Sequence, residues 1–395
     1  MIFSRKKIAG LDLARRRYLA GSSAWLVSLP FTASHSFANA NTGVHKKIGF
    51  DDCWVSAQGD SPATYGTAWL NSRDQMIQIA NSGFRGHDCV ALANKDNHVL
   101  MIARRPGRTA TELNILSGAQ SAQFSCPENR QFEGHACCSG DGRMLYTTET
   151  DRYSGEGYIG VYRSSDYHRI GEYPSGGIGP HQLKLMPDLT TLVVANGGMR
   201  GKANSETWLP TNLDSMQSSL AYLNAATGEL LEQRFLAEEK ASIRHLDVTA
   251  EGVVVVGLQV QRSAMTSDKI VALGAVHRRD SELKLLTAPD ILWQNMRDYV
   301  GSVAVNNQFN RLVLTSPRGN VAAFWEIESG ELAGYLSLHD VCGAAMTADQ
   351  SECVLSNSSG ALRFINMANL QEQRAKRLAF EQLRWDNHLV NVSAR

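Results

Sequence analysis

Five histidines carry the residue chemistry that stands out in this chain. His87, His135, His181, His245 and His388 lie in "RGHDC", "GHACC", "GPHQL", "IRHLD" and "WDNHL", each ahead of or within a short run of small and apolar residues. Neutral imidazole is the commonest protein ligand for iron, copper and zinc. Three or four of them brought together would hold one such ion, with His87, His135, His181 and His245 as the first candidates and Glu149 or Cys342 as additional ligands. Arg85 and Arg244 stand two residues and one residue ahead of their histidines, and Arg104, Glu149, Asn196, Gln259 and Arg318 close or follow the apolar runs that come next. Arginines gathered at one place would favour an anionic ligand such as a carboxylate, a phosphate or a siderophore. The plainer reading stays open beside both: buried histidines satisfied by backbone, and arginines pinning loops through carbonyls. His98, His168, His277 and His339 fall in turns or outer strands and read as surface residues.

Other chemistries are not supported. The chain has no G-x-S-x-G elbow, no H-E-x-x-H, no phosphate loop and no dinucleotide fingerprint ahead of a helix. "GGMRGKA" (197–203) is glycine-rich but lacks the phosphate-loop spacing and reads as a loop between strands.

These residues need elements to position them, and the elements repeat. "RGHDCVALANKDNHVLMIARR" (85–105), "GHACCSGDGRMLYTTE" (134–149), "GPHQLKLMPDLTTLVVAN" (179–196) and "IRHLDVTAEGVVVVGLQ" (243–259) share one plan. So do "YVGSVAVNNQFNRLVLTSP" (299–317) and "DVCGAAMTADQSECVLSN" (340–357). Each is a marked start, a small-residue strand, a polar turn and a stronger apolar strand, followed by a second hairpin such as 218–236 or 321–339. A unit of four short strands at intervals of about 40 to 65 residues predicts a β-propeller. Two packed β-sandwiches would explain the alternation but not the recurring unit. Six units are readable. A seventh is composite, with "WDNHLVNV" (385–392) supplying one strand and 64–80 the rest, so that both chain ends close the ring and hide its sheet edges. The expected fold is therefore all-β, a seven-bladed propeller. In such a ring the start of each first strand and the end of each second strand lie at one face, which would collect the five histidines around one mouth of the channel. "LQEQRAKRLAFEQL" (370–383) has helical composition but is short and flanked by strand-like text.

The first 40 residues read as a signal peptide: a basic head, an apolar middle and Ala38-Asn39-Ala40. Arg15-Arg16-Arg17-Tyr18-Leu19 resembles the twin-arginine export motif. The organisation expected is residues 1–40 as a twin-arginine-type signal and 41–395 as a single propeller, exported to the periplasm, with no membrane span in the mature part. The whole chain is formally neutral, and without residues 1–40 it carries 33 basic and 38 acidic groups, which argues against a nucleic-acid partner. Seven cysteines without a C-x-x-C pair support neither covalent haem attachment nor a disulfide framework.

The motifs "GHACCSGDGRMLYTTETDRYSGEGYIGVY", "GEYPSGGIGPHQLKLMPDLTTLVVANGGMR", "SIRHLDV", "YVGSVAV", "SPRGN" and "RWDNHL", in this order, resemble the bacterial domain-of-unknown-function family 1513 over roughly residues 45 to 392. The resemblance implies an exported seven-bladed propeller related to YVTN and WD40-type folds. It implies a gene often near those for imelysin-like periplasmic proteins and other iron-uptake components, which would be the expected partners, and it implies no mechanism. The function expected is a periplasmic binding or accessory protein, in iron acquisition, with a histidine-lined pocket at the channel mouth and iron, copper or zinc as the metal. The alternatives are a metal-dependent enzyme using the same histidines, and a scaffold whose rim binds a protein.

Overall fold

The computed structural model of the chain describes residues 52–73, 75–203 and 208–392. Residues 1–40, with the expected signal, lie outside the described residues.

Seven four-stranded antiparallel sheets form the blades of a propeller. From inside to outside, blade 1 runs Val390–Asn391, Cys53–Gln58, Gly66–Asn71, Ile77–Asn81. The C-terminal segment is thus its innermost strand and the N-terminal segment supplies the other three, one of which, Cys53–Gln58, precedes the region expected from the sequence. Val392 donates its backbone N–H to the Cys53 carbonyl at 2.7 Å, and Asn391 Nδ2 donates to the Met346 carbonyl of blade 7 at 2.9 Å. The closing strand is therefore tied on both sides.

Blades 2 to 7 begin at Gly86, Arg130, Pro180, Ala241, Ser302 and Val341, and in each the chain steps outward one strand at a time. Blade 4 carries an extra hairpin, Gly201–Ala203 with Trp208–Pro210, between its second and third strands. This is where 197–203 falls. A short α-helix, Asp290–Asn295, links blades 5 and 6, and its Trp293 stacks on Trp325 of blade 6 at 5.3 Å. The helical composition of 370–383 yields a single 3-10 turn, Arg374–Lys376, and the edge strand Leu378–Ala379. Six charged or polar residues there, Gln371, Arg374, Lys376, Arg377, Glu381 and Gln382, face solvent without an apolar stripe to pack, so no longer helix has a reason to form.

The outer turns are built by a repeated device. Asn114 and Asn224 accept backbone N–H groups two and three residues ahead at 2.9–3.0 Å, and four residues on the chain enters left-handed φ at Gly118 and Gly228. This Asx-led turn carries the third strand of blades 2 and 4 into the fourth. No helix among the described residues is long and apolar enough to cross a membrane.

Candidate metal centre

The inner strands of five blades share an irregularity. Pairing with the second strand slips at His87 in blade 2, between Phe132 and Ala136 in blade 3, at His181 in blade 4, at Arg244 in blade 5 and at Cys342–Gly343 in blade 7. These are β-bulges, which leave a residue out of the ladder and re-aim its side chain. His87, His181 and Arg244 occupy the unpaired position itself. The carbonyls displaced by two bulges are not orphaned: Thr148 Oγ1 donates to the carbonyls of both His135 and His181, at 3.2 and 3.1 Å. Ser56 Oγ does the same for the carbonyl of His388 at 2.5 Å. Gly134, at φ +107°, lets the chain pass His87, since a Cβ there would lie 2.3 Å from the imidazole Cδ2.

The outcome is a cluster of five imidazoles. His135 lies 4.8 Å from His87, 5.0 Å from His181 and 4.7 Å from His388, ring centre to ring centre, and His245 lies 4.8 Å from His181 and 4.7 Å from His388. None is more than 5% exposed. The cluster is therefore a buried plug within the channel, not a ring at an open mouth as the sequence suggested. In two overlapping triads, His87–His135–His388 and His135–His181–His245, one ligand nitrogen per ring lies within 4.8 Å of the others. A tetrahedral ion bound at about 2.1 Å would bring such nitrogens to about 3.4 Å, a movement of roughly 1 Å or less per ring. His135 belongs to both triads.

Each ring offers one buried nitrogen with no hydrogen-bond partner: Nε2 of His87, His135, His181 and His388, and Nδ1 of His245. Buried polar atoms are ordinarily satisfied, so five orphans in one place describe a set of donors suited to an ion. His135 is the best prepared of them. Its Nδ1–H donates to Asp88 Oδ2 at 2.9 Å, which fixes the proton on Nδ1 and leaves the Nε2 lone pair free. Burial alone would raise the Asp88 carboxyl; the electrostatic attraction and hydrogen bond of the His135 N–H outweigh it and hold it below its ordinary range. Burial, and then the neighbouring imidazoles and arginines, hold His87, His181 and His245 well below the usual imidazole range. His388 is pushed down to about 3 by burial, with His135 adding to the effect. These four rings are neutral at physiological pH, the state a ligand requires.

Two sides flank the plug. Toward the starts of the inner strands are Arg85 and Arg104, which share Asp386 at 3.1 and 3.3 Å. Arg105 pairs with Glu133 at 3.0 Å. Arg104 reaches His87 Nδ1 and Arg244 reaches His181 Nδ1, each at 3.4 Å, contacts too long to be firm hydrogen bonds. Burial, and then Arg105, pull the Arg244 guanidinium down to about 9. Toward the other end the channel opens into a cavity of about 640 Å³ lined by Asp88, Gln182, Lys184, Asp247, Met346 and His388, among others. Lys184 and Asp247 form an ion pair at 2.5 Å on its wall.

The remaining candidate residues stand elsewhere. Glu149 is fully buried inside blade 3, held by Arg169 at 2.9 Å and by Tyr162 and Thr147 at 2.8 Å. Asn196 donates to the Ser175 carbonyl at 3.0 Å and fastens a loop. Gln259 is half-buried opposite Ser242 with its backbone bridged to Tyr299. Arg318 is exposed and lies over the Tyr299 ring at 4.5 Å. Cys342 packs against the carbonyls of Ser356 and Trp385, and burial pushes its thiol up to about 12, so it offers no thiolate. Two histidines expected at the surface are not there. His277 is 1% exposed and bonded to the Tyr222 hydroxyl at 2.6 Å, and His98 is half-buried against Glu112 at 2.5 Å. Polar partners hold both rings, Tyr222 the first and Glu112 the second. Asp88 and Asp386 were not singled out from the sequence; the only signal was their nearness to His87 and His388 in "HDC" and "DNH".

The profile of the DUF1513 family, described as a protein of unknown function, matches residues 81–392, from the outer strand of blade 1 through blade 7 to the closing strand of blade 1. The chain belongs to the DUF1513 family. The cluster of this DUF1513 protein lies wholly within the matched region, as do Asp88 and Arg244. No curated protein matches the chain in sequence. Among solved structures it is similar in fold to Kuenenia stuttgartiensis hydrazine synthase, with a TM-score of 0.60 at 12% identity, covering 77% of this chain and 90% of that one.

Proposed function

We propose that this chain is an exported metal-binding propeller that holds one transition ion among the five channel imidazoles, and that it serves as a binding or accessory protein in metal acquisition. The observation that carries the reading is His135: buried, shared by both triads, its Nδ1 proton given to Asp88 and its Nε2 unpartnered. The all-nitrogen donor set suits zinc, copper or iron, and the residues present fit such an ion without help from Glu149 or Cys342. Export rests on the signal-like residues 1–40. Iron as the cargo, and an imelysin-like partner, rest on what the family resemblance implies.

A metal-dependent enzyme is the second reading, and the cavity beside the plug favours it. His388 lines that cavity, so an ion held by His87, His135 and His388 would have a face toward space large enough for a small substrate. Competition titration of metal-free protein with zinc(II), copper(II) and iron(II) tests the shared premise. One ion per chain is expected for wild type, and loss of that binding in His135→Ala with the fold intact by circular dichroism. Equal binding by the variant would defeat the reading.

A further inference from the structure

Arg244 is a buried charge of this site with no carboxylate in contact with it among the described residues. Its side chain occupies the unpaired bulge position that His87 and His181 hold in their own blades, so it is aimed to the channel axis as they are. It is 8% exposed, its Nε has no hydrogen-bond partner, and its guanidinium reaches an imidazole, His181 Nδ1, at 3.4 Å. The other arginines on that side reach a carboxylate within ion-pair distance: Arg85 and Arg104 share Asp386, and Arg105 pairs with Glu133, which acts on Arg244 only from beyond that distance. Among the described residues no carboxylate pairs with Arg244. A buried cation without a counter-charge in contact is unfavourable, and a metal ion taken up by the neighbouring imidazoles would add a second positive charge beside it.

We propose that Arg244 is the seat of a small carboxylate-type anion, which neutralises the guanidinium and acts as a co-ligand to the ion in the imidazole cluster. A planar two-oxygen anion matches the donor fork of a guanidinium, and one placed between two cations is attracted by both. The co-ligand role rests on the metal reading above; the anion seat does not.

The test has two arms, with sodium formate as the probe. In the first, formate is titrated calorimetrically into metal-free protein. Saturable binding is expected for wild type, weaker binding for Arg244→Lys, and none for Arg244→Gln. In the second, zinc(II) is titrated with and without formate. Formate should tighten zinc binding of wild type by about tenfold or more, within the usual range for coupled sites, and zinc should tighten formate binding by the same factor. Arg244→Gln should bind zinc without formate at least as well as wild type, because a repelling charge is gone, and should show no formate effect. Absence of saturable formate binding to wild type, or unchanged binding in Arg244→Gln, overturns the proposal whatever zinc does. Formate binding without any zinc binding keeps the seat, overturns the co-ligand role, and counts against the metal reading. Arg244→Lys guards against misreading a folding defect in the glutamine variant as loss of a site.

Discussion

Acidifying the metal-free protein should unfold it from the inside of its channel. His87, His181, His245 and His388 are held neutral in the folded state, with His388 at about 3, whereas in the unfolded chain each takes a proton near pH 6.5. Below pH 6.5 the unfolded chain therefore binds more protons than the folded one, so stability falls as pH falls. The loss per histidine is about 1.4 kcal/mol per pH unit, or about 2 kcal/mol at pH 5 for His388. His87, His181 and His245 add to this loss in the same direction. For a propeller of this size, an unfolding entropy of about 2.1 cal/mol/K per residue converts the His388 loss alone into a Tm decrease of about 3 °C. Asp88, already below the ordinary carboxylate range, has no part in this window. Scanning fluorimetry of chelator-treated protein from pH 7.5 to 5.0 is the assay, with His388→Asn alongside. The wild type should lose stability steeply below pH 6.5, and the variant should lose less per pH unit. A flat profile, or identical slopes for the two proteins, would refute the claim that burial holds these rings neutral.

Three further outcomes follow from particular contacts. Asp88→Asn removes the charge behind His135, and metal affinity measured by competition with a chromophoric chelator should fall by about 10- to 100-fold, the usual effect of losing such a partner. Gly134→Ala places a methyl against His87 at a backbone conformation disfavoured for alanine; it should destabilise by about 1–3 kcal/mol in urea unfolding and weaken metal binding together. Tyr222→Phe leaves His277 without its 2.6 Å partner and should cost about 1–3 kcal/mol in the same assay while metal binding stays at the wild-type level, since that histidine belongs to the core of blade 5.

The propeller was legible because its units repeat at the level of strand and turn, and because the residues at 385–392 and 64–80 each lacked partners of their own. Cys53–Gln58 escaped notice since all six of its residues are buried, which erases the alternation that marks a strand. The histidines were legible as strand starts, but not their depth. That depth depends on bulges, and a bulge appears only in the register between two strands, not in either strand alone. Glu149 and Asn196 show the same limit from the other side. Each lies near the end of a second strand, as expected, yet alternation along the strand turns the first into blade 3 and the second onto a loop. Asp88 meets His135 across two blades and 47 residues, a pairing that local sequence does not encode.

The central claim is that one transition ion sits among the channel imidazoles with His135 as its fixed ligand. X-ray absorption at the edge of the bound metal, on protein loaded with one equivalent of zinc(II), tests it most directly. The account predicts a first shell of three or more imidazole nitrogens at about 2.0–2.1 Å, with no sulfur, and its loss in His135→Ala. A shell containing sulfur, a shell of oxygens alone, or a spectrum unchanged in His135→Ala would contradict it.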